Sequence, residues 1–193
     1  HPAELDAPAG EEVGDDRVQV GAISGRAAIR HGLEWLLLRA SGSKVPYVRF
    51  FDHEDGIGPH PMDAMPLSQQ QACAALSSLL QLYRQGLQAP LVFAPYSSWK
   101  FHAAANGGEL DKAIKDAAGQ WQGGFGWGES NAPELQLVHR GADPFASEAR
   151  FIEFATTSHR LYSLLETGSE AELDQQTLLD SWRHLRGEQE DAE

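Results

Sequence analysis

Leu82-Tyr-Arg-Gln-Gly-Leu-Gln-Ala-Pro-Leu91, followed by Val92-Phe-Ala94, is the stretch on which the fold reading turns. Gly86 carries an entropic penalty in a helix, and Pro90 lacks the N–H that a helix needs. The spacing therefore predicts a helix ending across Gly86–Pro90, then a short buried strand over 91–94. Toward the N-terminus, Ser68-Gln-Gln-Gln71 fits a capping box, in which Ser and the Gln three residues on satisfy free backbone N–H groups. The helix it opens is expected to turn Cys73, Leu76, Leu79, Leu80 and Tyr83 inward. Beyond Pro95, Ser97 or Ser98 is expected to cap a short helix with Trp99, Phe101 and Ala104. A further helix follows over 109–122, where Leu110, Ile114, Ala117 and Trp121 recur at helical spacing.

Outside this centre, Arg17-Val-Gln-Val-Gly-Ala-Ile23 alternates as a strand does. Ser24 then offers a cap for a helix over 26–40, with Gly42 as its stop. Tyr47-Val-Arg-Phe-Phe51 is a second expected strand, and Asp52–Gly58 the turn of a hairpin. In the last third, Ser147 opens a helix to about Glu166. A second helix is expected from Glu170 to Arg186, carrying Leu173, Leu178, Leu179, Trp182 and Leu185. The expected fold class is α/β: a small mixed sheet from strands near 17–23, 46–52 and 90–94, packed with helices. The expected organisation is an acidic flexible lead-in over 1–16, an α/β body over 17–166, and an acidic helix and tail over 167–193.

Charge separates these regions. The net charge is −13 over 193 residues. Residues 1–16 hold six acids and no Lys or Arg, and residues 166–193 hold nine acids against Arg183 and Arg186. The body between them is neutral, with thirteen acids and thirteen bases. Acidic ends are usually solvated, and a neutral body leaves room for a local DNA-facing patch. The only cysteine, Cys73, excludes a disulfide framework and fits a reducing cytoplasm. Among helical alanines and leucines it reads as a small core filler. No apolar run approaches the ~20 residues of a membrane span. An opening at His1 rather than Met reads as a piece of a longer polypeptide.

Candidate chemistry is sparse. Asp52, His53, Glu54, Asp55, His60 and Asp63 place six donors within twelve residues. Gly56, Gly58, Pro59 and Pro61 punctuate them, and their spacing matches neither a calcium loop nor a helical His pair, so a polar turn accounts for them. Gly123-Gly-Phe-Gly-Trp-Gly128 lacks the strand–turn–helix context of a phosphate loop. It reads as a mobile loop in which Phe125 and Trp127 either pack or stack on bases or a partner. The eight histidines, at 1, 31, 53, 60, 102, 139, 159 and 184, form no triad pattern. His159 and His184 are expected at a surface or core edge, and Trp35, Trp99, Trp121 and Trp182 in the core or at its edge. The strand at 17–23 has no acid and no Lys to hold magnesium or orient water. The Glu109, Asp111, Lys112, Lys115 and Asp116 charges read as a solvated helix face.

Several stretches in order resemble one family. They are His31-Gly-Leu-Glu-Trp-Leu-Leu-Leu-Arg-Ala-Ser-Gly42, Leu67-Ser-Gln-Gln-Gln71, Leu80–Leu91, Pro95-Tyr-Ser-Ser-Trp99, the Lys112–Trp121 helix, and Gly128-Glu-Ser-Asn131. Together they resemble the C-terminal domain family of RecC, the gamma subunit of exodeoxyribonuclease V, over about Val18 to Pro144. The resemblance implies a non-motor, non-nuclease part of a helicase–nuclease that processes double-strand breaks for homologous recombination. It also implies RecB and RecD as partners, DNA reached through the assembled complex, a cytoplasmic location, and an inactive restriction-endonuclease-type fold. No catalytic residue, metal ligand or cofactor site follows from it, and no DNA-contacting residue by number. Two other readings stay open: an active metal-dependent nuclease whose acids lie upstream of His1, and a DNA-independent adaptor working through the acidic ends.

Overall fold

Helices dominate the computed structural model, which describes residues 15–18, 23–53, 56–61, 66–123 and 126–190. In chain order they are α1 (Gly25–Ala40), α2 (Gln69–Gln88), α3 (Pro95–Asn106), α4 (Leu110–Gln122), α5 (Pro133–His139), α6 (Glu148–Thr167) and α7 (Gln175–Glu190). A single 3-10 turn, Glu129–Asn131, precedes α5.

The starts of these helices are chemical. Ser24 accepts from the Ala27 N–H at 3.3 Å, and Ser147 from the Arg150 N–H at 3.4 Å. Ser68 and Gln71 form the expected capping box, Ser68 Oγ accepting from the Gln71 N–H at 3.2 Å and Gln71 Oε1 from the Ser68 N–H at 3.0 Å. Helix α3 begins three or four residues earlier than a Ser97 or Ser98 cap would give, with Pro95 at its first turn and no side-chain cap from its own flank. Helix α7 begins at Gln175 rather than Glu170, because Asp174 accepts from the Thr177 N–H at 2.7 Å and its hydroxyl at 2.6 Å. Helix α5 has no counterpart in the sequence reading.

The α/β expectation is corrected: the structure is mostly helical. Short strands do pair, β1 (Asp15–Val18) parallel to β2 (Tyr47–His53), and β2 antiparallel to β3 (Gly56–Pro61). Among the described residues the buried apolar side chains come almost wholly from the helices. Among residues whose burial is described, Tyr47 is the one strand residue in either hydrophobic cluster. The sheet of an inactive restriction-endonuclease fold is therefore not the frame of this domain. The strand expected over 91–94 is also absent: Val92 and Ala94 are buried in an irregular link between α2 and α3. Of the first expected strand, Arg17 and Val18 lie in β1, and residues 19–22 lie outside the described residues.

Two apolar clusters hold the helices together. One joins α3, α4, α6 and α7 through Phe101, Ile114, Trp121, Phe151, Phe154 and Trp182. Its rings meet at angles favoured by their quadrupoles: Phe101 lies edge-on to Phe154 at 5.8 Å, and Phe151 stacks on Trp182 at 6.1 Å. The other joins α1, α2 and α6 through Trp35, Leu36, Leu82, Tyr162 and Leu165. Helix α1 reaches α6 because Gly32 has no side chain; a Cβ there would stand 2.7 Å from Leu165 Cβ.

Candidate functional site

The first turn of α3 is built on a distant carboxylate. Glu129 is buried at 1% exposure and accepts from the Tyr96 N–H at 2.9 Å, the Ser97 N–H at 2.7 Å and the Ser97 hydroxyl at 2.7 Å. Helix N-termini carry unsatisfied N–H groups and a partial positive charge, so a carboxylate there acts as cap and counter-charge together. Ser97 and Ser98 are therefore not the caps expected of them. Ser98 instead sits inside the helix, where its hydroxyl accepts from the Ala94 N–H at 3.2 Å and meets Ser158 Oγ at 2.8 Å.

Two residues before Glu129 the chain presents Trp127 at 58% exposure. The indole stands edge-on to Tyr96, centroids 6.4 Å apart, and the Arg26 guanidinium lies over the Tyr96 ring at 5.6 Å. Trp127 borders an open concavity of about 420 Å³ with Lys100 of α3 and Lys115, Asp116, Gly119 and Gln120 of α4. Glycine closes the loop base: the Gly126 N–H donates to the Gly123 carbonyl at 2.6 Å, and Gly123 adopts φ +89°. Phe125 lies outside the described residues.

A second polar assembly is buried between α3 and α6. His102 Nδ1 is 3.2 Å from His159 Nδ1, and His102 Nε2 is 2.9 Å from Glu166 Oε2. A carboxylate only accepts, so Nε2 of His102 carries the proton. In the neutral ring Nδ1 is then the acceptor, and His159 donates its Nδ1–H. Burial, then the neighbouring His102, pushes the His159 imidazole down to about 4. His159 was expected at a surface or core edge and is instead 4% exposed. His139 is also buried, with Nε2 3.2 Å from the Phe93 carbonyl; burial lowers its pKa. His102 and His159 fasten α3 to α6, and His139 ties α5 to the link before α3.

The face of α2 is corrected in part: Leu76 and Leu79 pack against the core as expected. Ala72, Ala75 and Leu82 are its buried residues, whereas Cys73, Leu80, Tyr83 and Leu87 are exposed. The exposed leucines and Tyr83 edge an apolar groove of about 610 Å³ between α1, α2 and α6. The core-filler reading of Cys73 fails for the same reason. Of the tryptophans expected in the core, Trp35, Trp121 and Trp182 are buried and Trp99 is half-buried.

The metal-like turn is spread along the hairpin. Asp52 pairs with Ile57, His53 with Gly56, and His60 with Arg49, while Glu54, Asp55 and Asp63 lie outside the described residues. Among the described residues no group of three or more His, Cys, Asp or Glu is placed to hold a metal ion. On α4, Lys112 and Glu109 form an exposed ion pair at 2.8 Å, as a solvated face does. No described helix is long and apolar enough to cross a membrane.

The RecC C-terminal domain family model matches residues 9–106, which cover β1 through α3 and slightly more than half of the chain. Curated proteins yield no match.

Proposed function

Because the chain belongs to the RecC C-terminal domain family, we propose that it serves as a scaffold and DNA-handling part of the gamma subunit of exodeoxyribonuclease V, without catalysis of its own. The observation that supports this most is how its buried and half-buried polar groups are used. Glu129 is occupied in capping α3, and His102, His159 and Glu166 are occupied in joining α3 to α6. A nuclease needs carboxylates aimed into a cleft, where they hold magnesium and orient water. These groups are aimed at backbone amides and at each other. RecB and RecD are the partners this reading supplies, DNA is reached through the assembly, and repair of double-strand breaks in the cytoplasm is the setting.

Co-expression of the chain, within its parent gamma subunit, with RecB and RecD tests the reading. The expected result is a three-subunit complex, with no magnesium-dependent cleavage of DNA and no ATP hydrolysis by the isolated 193-residue chain. Cleavage by the isolated chain that vanishes when one of its own acids is changed would overturn the non-catalytic part. Failure of the parent subunit to join RecB and RecD would overturn the assembly part.

A further inference from the structure

We propose that the apolar groove between α1, α2 and α6 seats an amphipathic helix of a partner protein, one whose leucine-type side chains fill the groove and whose acidic flanks face Arg30 and Arg84.

The groove has the form of a helix seat. Ile29 and Leu33 of α1 make one wall, Leu80 and Leu87 of α2 the other, and Leu161 and Leu165 of α6 the floor. None of its twelve lining residues is charged. Along α2 the apolar side chains fall at Leu76, Leu79, Leu80, Tyr83 and Leu87, which is the i, i+3, i+4, i+7, i+11 series of one helix face. At 1.5 Å per residue that face is about 16 Å long, or three turns of a helix laid beside it. Leu80, Tyr83 and Leu87 are 47%, 63% and 69% exposed, an apolar ridge left in water as interfaces leave it. Gly86 keeps the middle open, since a Cβ there would only touch Leu91 at 3.5 Å. Grooves of this kind receive helices through anchors spaced by three and four residues.

Charge selects the occupant. Helices α1 and α2 carry Arg26, Arg30, Arg39 and Arg84 against one acid, Glu34, in a chain of net charge −13. Glu34 accepts from the Tyr47 hydroxyl at 2.9 Å, and Arg26 pairs with Glu134 at 2.9 Å. Glu153, at the Leu91 end, accepts from the Val92 N–H at 3.4 Å. Arg30 and Arg84 are exposed and have no ion pair among the described residues. Arg30 stands three residues before Leu33, and Arg84 four after Leu80 and three before Leu87, so each neighbours its wall on the solvent side. A helix with Glu or Asp beside its leucines complements both arginines. A second copy of this chain would set the same arginines against each other across a two-fold axis, which disfavours it.

The test uses the 193-residue chain and two fluorescein-labelled peptides of roughly 18 residues with leucines at i, i+4, i+7 and i+11, one flanked by Glu and the other by Lys. Anisotropy should show the Glu peptide bound, and the Lys peptide bound about tenfold more weakly or less. The Leu80→Gln/Leu87→Gln pair, which alters only exposed side chains, should weaken the Glu peptide about tenfold or more. Gly86→Met should weaken it too, because it fills the groove; a merely sticky surface would gain from the added apolar side chain. The Arg30→Glu/Arg84→Glu pair should weaken the Glu peptide by about 2- to 30-fold, as the loss of two exposed ion pairs does, and strengthen the Lys peptide. Circular dichroism confirms that each variant folds. No binding of the Glu peptide, equal binding of both peptides, or indifference to the Leu80/Leu87 pair would overturn the proposal. Self-association in sedimentation that the Leu80/Leu87 pair abolishes would overturn it as well, giving the groove to a second copy. A parent subunit that joins RecB and RecD while the chain ignores the Glu peptide sinks the groove alone. A chain that takes the peptide while its parent joins neither subunit sinks the assembly reading alone.

Discussion

His102 and His159, 57 residues apart in the chain, meet Nδ1 to Nδ1 at 3.2 Å in the seam between α3 and α6. Their contact ties stability to pH. Above pH 6.5 His159 is neutral in both folded and unfolded chains, and its contribution is complete. Below that the unfolded imidazole takes a proton that the folded one refuses until about pH 4, so stability falls across this window. Full desolvation would set the loss at about 3 kcal/mol; with the Glu166 end open to water, about 1–2 kcal/mol is expected. His139, also lowered, adds in the same direction. Glu148, Glu170 and Asp174, whose carboxyls are held below their usual values, lose their contributions only at lower pH. Urea unfolding at pH 7.5, 6.5 and 5.0 checks this. The parent should lose stability between 6.5 and 5.0, and His159→Gln should lose less; equal slopes would refute the assignment.

Glu129→Gln should destabilise the chain by about 2–3 kcal/mol although it preserves volume. The carboxylate accepts three hydrogen bonds at the start of α3, and an amide turns one acceptor into a donor facing N–H groups. Ser97→Ala, which removes only the hydroxyl bond, should cost about 1 kcal/mol. Thermal unfolding of both variants reads the difference. If Glu129→Gln were as stable as the parent, the cap would not be holding α3.

Two glycines in helices should respond with opposite signs to alanine. At Gly32 an added methyl meets Leu165 Cβ and the Leu165 carbonyl oxygen at 2.7 Å, and helix backbone cannot yield cheaply. Gly32→Ala should cost about 1–3 kcal/mol. At Gly119 nothing lies within 4 Å, so alanine should stabilise α4 by about 0.5–1 kcal/mol. Denaturant midpoints of the two variants moving the same way would contradict the packing of α1 on α6.

What the sequence made legible was local. Ser24, Ser68 with Gln71, and Ser147 announce helix starts because a cap bonds within three residues. Failures came where a partner far along the chain decides. Glu129 acts on α3 from 32 residues away, so Ser97 and Ser98 looked like the caps. The His102–His159 pair spans 57 residues and leaves no motif. Leu91–Ala94 is apolar enough for a strand, but its burial comes from filling a gap between helices, which four apolar residues do equally well in an irregular link. The α/β reading failed on the same ground. Alternation at 17–23 and 47–51 marks strands without telling whether the core is built on them, and here the helices cover each other. For the site, Trp127 was legible as a stacking candidate, while Lys100 and Lys115 needed α3 and α4 to be packed side by side.

In α2, neighbouring residues in Leu80–Leu87 have opposite surroundings. Leu82 is 5% exposed in the cluster of Trp35 and Leu165, whereas Leu87 is 69% exposed at the groove edge. Removing Leu82 leaves a hole that α1 and α6 cannot close, so Leu82→Ala should cost about 2–5 kcal/mol. Leu87→Gln and Leu80→Gln remove side chains already in water and should each change stability by less than about 0.5 kcal/mol. The face expected from periodicity, with Leu80 and Tyr83 inward, predicts the reverse order. Urea unfolding of the three variants separates the two registers, since a rotation of α2 would exchange the costs of Leu80 and Leu82. A loss above about 2 kcal/mol at Leu80 with none at Leu82 would mean that α2 presents its other face to α1.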